Sequence, residues 1–201
     1  MFQRTSLHSH KELPSSINSD GASRLLASSG YQLPLCWLML FIESDLQLQK
    51  VYSYEGEQTC EYTTLICAKA EALQHYRSVV ERFKSLLGNH WASYFDYWQQ
   101  YLEYNADEYL YLDATALWMT GHEQAYIDNL RLSLSGISWI GSDNCRWKRS
   151  RLESLPFLGR AFDPLEAALK HEGVRHLLIQ SGVLDADGGI YIDKEVLQGS
   201  I

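Results

Sequence analysis

The histidines of this chain begin several motifs that carry chemistry, and each motif breaks at a position the chemistry requires. His8 and His10 form a His-x-His pair, a spacing that can present two imidazoles to one metal, but no further cysteine, histidine or carboxylate set follows at a ligand spacing. His122-Glu123 and His171-Glu172 each open like a zincin helix, yet Tyr126 and Arg175 stand where the second histidine belongs. Asp185, Asp187 and Gly188 open like a calcium loop, which needs glycine at the sixth position and glutamate at the twelfth; Ile190 and Val196 occur there. There is no Gly-x-Ser-x-Gly, no glycine-rich phosphate loop and no cysteine-nucleophile signature. These residues predict no metal, no cofactor and no enzymatic activity. The alternative is a small hydrolase or transferase whose site assembles only in space, around His75, His90 or His122.

Recognition is the chemistry the sequence does favour. Between Lys84 and Arg131 there are 46 consecutive residues without lysine or arginine, and the same stretch holds seven carboxylates and eleven aromatic rings. Carboxylates steer and orient a cationic surface, while aromatic side chains supply rigid contact area. Trp91, Tyr94, Phe95, Trp98, Tyr101 and Leu102 follow a helical stripe and belong in a core. The residues left for a partner are Asp96, Tyr97, Glu103, Tyr104, Asp107, Glu108, Tyr111, Asp113, Glu123 and Asp128, and the expected partner is a protein with a basic surface. The basic run Arg146, Lys148, Arg149 and Arg151 around Trp147 could touch RNA. With a net charge of −8 and a pI near 5.3 the whole-molecule field repels polyanions, so a solvated loop is expected there and nucleic acid is excluded as a partner.

Cys36, Cys60, Cys67 and Cys145 form no Cys-x-x-Cys pair and sit in apolar or strand-like contexts, which suits reduced thiols in a cytoplasmic protein. Residues 1–24 show no basic, apolar and cleavage-site succession, so no export signal is expected. The apolar run from Leu33 to Ile42 is about half the roughly 20 residues a membrane-spanning helix needs, and is read as a core element.

The elements that would position these residues follow from periodicity. Residues 1–28 are expected to be a polar, flexible segment, with a short strand at 2–7 and loop from 8 to 30. Pro34 starts a buried helix at 34–43. Residues 51–55 and 61–67 form an antiparallel hairpin, and a clear amphipathic helix follows to the stop at Gly88, with Leu73, Tyr76, Val80, Phe83 and Leu87 on its apolar face. A second helix starts near Trp91. Leu110, Ala114, Leu117 and Trp118 imply a third, ending near Gly121, and residues 123–135 a fourth, packed as antiparallel neighbours. Asp163-Pro164 begins a helix stopped by Gly173, before a hairpin around the Asp-Gly-Gly turn. The fold class expected is mainly α with a small β component: one domain over 1–201, an antiparallel helix bundle packed with a short β-hairpin, carrying a C-terminal helix and hairpin subregion at 160–201.

This order of elements resembles small bacterial immunity-type proteins that accompany secreted polymorphic toxins. The likeness lies in GYQLPLCWLMLF (30–41), in the hairpin followed by KAEALQHYRSVVERFKSLL (69–87), and in EYLYLDATALWMTGHEQAYIDNLRLSLSGI (108–137). The resemblance implies a helix pair with an acid-bearing turn in the last pattern. It implies a protein that binds and neutralises a cognate toxin, often a nucleic-acid-directed enzyme with a basic active site. An adaptor that uses the same acidic face for another protein is a third reading. The cysteine assignment makes the first prediction: all four thiols titrate as free when the protein is purified without reductant and denatured, and fewer than four would argue against a reducing compartment.

Overall fold

The computed structural model describes residues 5–14, 23–29, 33–52, 58–114, 123–142, 168–181 and 183. Its framework is a five-stranded sheet in the order β2-β1-β5-β4-β3, formed by β1 (Thr5–His10), β2 (Ser23–Ser29), β3 (Leu46–Tyr52), β4 (Gln58–Ala68) and β5 (Tyr109–Asp113). Every neighbouring pair is antiparallel. The expected bundle with a short hairpin is therefore overturned, and the architecture is α+β, with helices packed on an antiparallel sheet. The hairpin expected at 51–55 and 61–67 overlaps β3 and β4, but both strands start earlier, residues 53–55 lie outside the described residues, and the pair is the edge of a larger sheet.

Three misreadings account for the difference. Residues 8–10 and 23–29 were expected to be loop, whereas they complete β1 and form β2, which pair from Thr5–Ser29 to His10–Ser23 across a bulge at Leu7/His8. Residues 110–114 were expected in a helix, but Tyr109–Asp113 is the central strand, bonded to β1 on one side and β4 on the other. Leu110 and Leu112 share the alternation of a strand as readily as the spacing of a helix, and pairing on both sides decides between them. The rest of that expected helix lies outside the described residues, as do the Asp163-Pro164 start, the C-terminal hairpin and the basic run around Trp147.

The helices follow their apolar periods. After α1, a single turn at Leu35–Leu38 with Pro34 as N-cap, a 3-10 turn covers Glu43–Asp45, so the expected helix at 34–43 is much shorter. Its core role holds: Leu33 through Phe41 are buried. Helix α2 (Lys69–Leu87) buries Ala72, Leu73, Tyr76, Val79, Val80, Phe83 and Leu86, and α3 (Asn89–Asn105) buries Trp91, Phe95, Trp98 and Leu102. These stripes meet Leu7, Leu65, Cys67, Leu110 and Leu112 from the sheet in one core. Lys69, the first residue of α2, fixes the return of α3: its Nζ donates to Glu103 O at 2.9 Å and to Ala106 O at 2.7 Å. A cation on the last carbonyls of a helix satisfies groups that have no partner within it and complements the dipole. Arg82 does the same for α4 (Glu123–Gly141), donating to Ile140 O at 2.7 Å and also to Ser142 O.

Gly173, expected to stop a helix, lies within the first turn of α5 (Glu172–Gln180). Its role is close approach. A Cβ on Gly136 of α4 would strike the Gly173 carbonyl group and come within 2.7 Å of Val174 N, so the two backbones cross where neither can carry a side chain. Gly88, between α2 and α3, serves differently: with φ 88° and ψ 178° it holds a conformation nearly closed to other residues, and a Cβ there would meet nothing. Gly136→Ala should thus destabilise by collision, by about 1–3 kcal/mol or more, and Gly88→Ala by backbone strain of about 1–3 kcal/mol. Urea unfolding checks both. A Gly136→Ala protein as stable as wild type would mean that α4 and α5 do not cross at this point.

Candidate functional site

The outward side of α3 carries four of the ten residues expected to meet a partner, Asp96, Tyr97, Glu103 and Tyr104. Tyr97 and Tyr104 are 51% and 86% exposed, and their spacing of seven places them on one helical line. Asp96 is exposed beside Tyr97, and Glu103 and Asp107 are half-buried on either side of Tyr104. Glu108 is exposed at the turn into β5, where its backbone oxygen accepts a hydrogen bond from Lys69 N at 2.8 Å. Asp128 is exposed on α4, and the side chain of Glu123 lies outside the described residues.

The acids are not unopposed, as the cation-free stretch suggests. Lys84 Nζ lies 2.6 Å from Asp96 Oδ1 and equally close to Glu81 Oε1, and Arg77 Nη2 lies 2.6 Å from Glu103 Oε1. Arg131 reaches Glu43 at 3.5 Å and Asp128 at 3.9 Å. The Arg77 hydrogen bond, followed by that of Gln99, holds the Glu103 carboxyl below its usual range, and Asp96 followed by Glu81 raises Lys84. Such exposed pairs are each worth about 0–1 kcal/mol, so they trim the local field more than they secure the fold. Cations of α2 thus face acids of α3 in two pairs, a pattern invisible to a count made along the sequence.

Tyr111 does not belong to that surface. It is buried on the opposite side of the sheet from Leu7 and Leu112, with the His8 ring 5.0 Å away and stacked on it and the His10 ring 5.2 Å away and tilted. The His-x-His pair is accordingly occupied in packing against an aromatic ring. His8 Nδ1, His10 Nε2 and Tyr126 Oη are buried without a hydrogen-bond partner among the described residues. Asp113, half-buried at the end of β5, raises Tyr111 and Tyr126, in both cases after the larger effect of burial.

Sequence reading missed a second grouping. Asp45 from the 3-10 turn, Cys67 from the end of β4 and His75 from α2 bring ligand-type atoms within 4.8 Å of one another. These are the residue types of a thiol triad, and His75 is one of the three centres named for the alternative, enzymatic reading. The thiol is not activated: burial first, then Asp45 and Glu71, push Cys67 up to about 12. Its Sγ donates towards Ala68 O at 3.4 Å and Glu71 Oε2 at 3.8 Å. A protonated thiol directed at carboxylates is a poor nucleophile at neutral pH. The side chains of His90 and His122 lie outside the described residues.

The arrangement defines an α+β protein with an acidic, tyrosine-bearing helix face and a grouping of a buried thiol with a half-buried imidazole and carboxylate. Compared with known proteins, the chain matches no family model, no curated protein and no solved structure. Among the described residues no helix is long and apolar enough to cross a membrane.

The buried histidines set a pH dependence. Burial lowers His8 below 6.5, with Asp113 opposing and His10 adding to the effect; burial likewise lowers His10, with Asp107 opposing. The folded chain therefore binds fewer protons here than the unfolded chain, and stability falls as pH drops through 6.5 towards the folded values. Asp45, raised chiefly by burial, opposes this only in the more acidic range between its folded value and 3.8. Denaturation midpoints from pH 7.5 to 5 should decline, and a His8→Gln, His10→Gln double variant should flatten the slope. An equal slope in both proteins would assign the titration elsewhere.

Proposed function

We propose that this chain is a non-enzymatic binding protein whose partner is a basic protein surface, docked on the outward face of α3 and the turn into β5. The observation that carries the reading is Tyr104, 86% exposed and flanked by Glu103, Asp107 and Glu108. A large ring held almost wholly in water beside carboxylates gives up apolar burial that a partner would recover, and tyrosines of this kind commonly serve as contact anchors. The acids would accelerate encounter and orient the partner more than they would hold it.

A toxin domain with a basic active site is the partner class added by the resemblance to immunity-type proteins. In this reading the protein acts in the cytoplasm, where its producer needs protection, and carboxylates on α3 and the following turn occupy a groove that otherwise takes phosphates. Asp96 and Glu103 already face Lys84 and Arg77, and Asp107 accepts a hydrogen bond from Ser9 Oγ at 3.2 Å, so the acid left to a partner at this end is chiefly Glu108. This moves the centre of the surface towards the C-terminal end of α3.

The test is binding to the product of the adjacent gene, for wild type and for Tyr104→Ala and Glu108→Lys variants, at low and high salt. Tyr104→Ala should raise the dissociation constant about tenfold or more, equivalent to about 1.4 kcal/mol, with an unchanged melting temperature. Glu108→Lys should chiefly slow association, and its effect should shrink as salt screens exposed charge over about 8 Å. Unchanged affinity and association rate in both folded variants would leave the α3 face a solvated surface.

A further inference from the structure

We propose that Asp45, Cys67 and His75 form a binding site for a divalent ion of the zinc class. The argument starts from what the fold does between β4 and α2. Strand β4 ends at Ala68 and α2 begins at Lys69 without a loop, so Cys67 stands directly before the helix. Glu71 lies in the first turn and His75 one turn later. The 3-10 turn then supplies Asp45 from a remote part of the chain, held by a hydrogen bond from Ile42 N to Oδ2 of 2.8 Å. His75 Nδ1 lies 3.8 Å from the same Oδ2 and 3.3 Å from Leu40 O.

The donor set is one sulfur, one imidazole nitrogen and one carboxylate oxygen, the mixture that tetrahedral zinc accepts and that calcium or magnesium does not favour. With bonds of about 2.3 Å to sulfur and about 2.0 Å to nitrogen and oxygen, tetrahedral ligand atoms stand on the order of 3.3–3.5 Å apart. The three donors here lie within 4.8 Å of one another, so closure by at most about 1.5 Å through side-chain torsions suffices. Glu71 Oε2, 3.8 Å from Cys67 Sγ, stands beside the remaining position as a ligand or as the acceptor that orients a bound water.

Each residue also has a structural role, but those roles leave the grouping costly. Asp45 caps the 3-10 turn, and a neutral asparagine could accept the same bond. Cys67 Sγ, only a weak donor, faces two carboxylates at long range, with Glu71 Oε2 at 3.8 Å, and gains little from either. A divalent ion reverses that balance: the thiol proton leaves to solvent, a thiolate–metal bond forms, and the acids become attractive neighbours. Asp45 and His75 are partly accessible, at 12% and 24% side-chain exposure, which leaves an entry path. The site is independent of the α3 surface and stands or falls without it.

Cobalt(II) titration of the reduced full-length protein supplies the test, because tetrahedral thiolate-bound cobalt gives a charge-transfer band and intense visible bands that six-coordinate cobalt lacks. The expected result is saturation at one equivalent, with displacement by zinc. Cys67→Ser should abolish the charge-transfer band, and Asp45→Asn, which keeps the cap, should weaken binding at least tenfold. X-ray absorption of the zinc-loaded wild-type protein gives a reading that does not depend on a variant folding, and should show one sulfur among oxygen and nitrogen ligands. No stoichiometric uptake, or uptake with only oxygen and nitrogen ligands and no loss in Cys67→Ser, would overturn the site.

Discussion

Backbone pairing on both sides of β5 is the constraint from which the rest of the arrangement follows. Tyr109–Asp113 must bond β1 on one side and β4 on the other, so the chain between Ala68 and Tyr109 has to leave the sheet and return beside its own starting strand. Helices α2 and α3 are that excursion, one out and one back. Lys69 closes it at the base, with its amide on Glu108 O and its ammonium on the last carbonyls of α3. The acidic turn at Asp107 and Glu108 is thereby fixed in place by a cation that the acids themselves do not use.

That closure determines which parts of the fold were legible in the sequence. Helices α2 and α3 were readable because each buries a stripe with a period near 3.6, and Gly88 marks the break between them. β5 was not, because Tyr and Leu alternate in YLYLD with little contrast in polarity, and the decisive information is pairing with strands far away in sequence. β2 failed for a related reason: SRLLASS is serine-rich and has no β-branched residue, yet it sits at a sheet edge where the demand on propensity is low. Gly173 read as a stop because a lone glycine carries no mark distinguishing the end of a helix from a crossing of two.

The candidate sites divide in the same way. Tyr97, Tyr104 and Asp96 could be placed on an exposed face from helical phase alone, whereas Tyr111 could not be assigned to the buried side without the strand. Charge was legible as a total but not as a field: the nearest cations to Asp96 and Glu103 lie on α2, in a different run of the sequence. The Asp45–Cys67–His75 grouping was illegible by spacing, since it needs a turn more than twenty residues upstream of the strand end. Only its local half carried a signal, for Cys67, Glu71 and His75 recur every four residues once β4 is known to run straight into α2.

The two candidate sites meet at one joint. Cys67 and Lys69 are separated by a single residue, so the strand end that offers a thiol to the 3-10 turn is followed at once by the lysine that anchors the acidic turn. Rigid support beneath a binding surface lowers the ordering cost of association. The α3–β5 turn gains such support from Lys69, and Lys69 from the uninterrupted passage of β4 into α2. The hydrogen bonds of Lys69 thus lie at the base of the excursion, beneath Asp107 and Glu108, while Tyr104, 86% exposed, is a large ring left unpacked among the described residues.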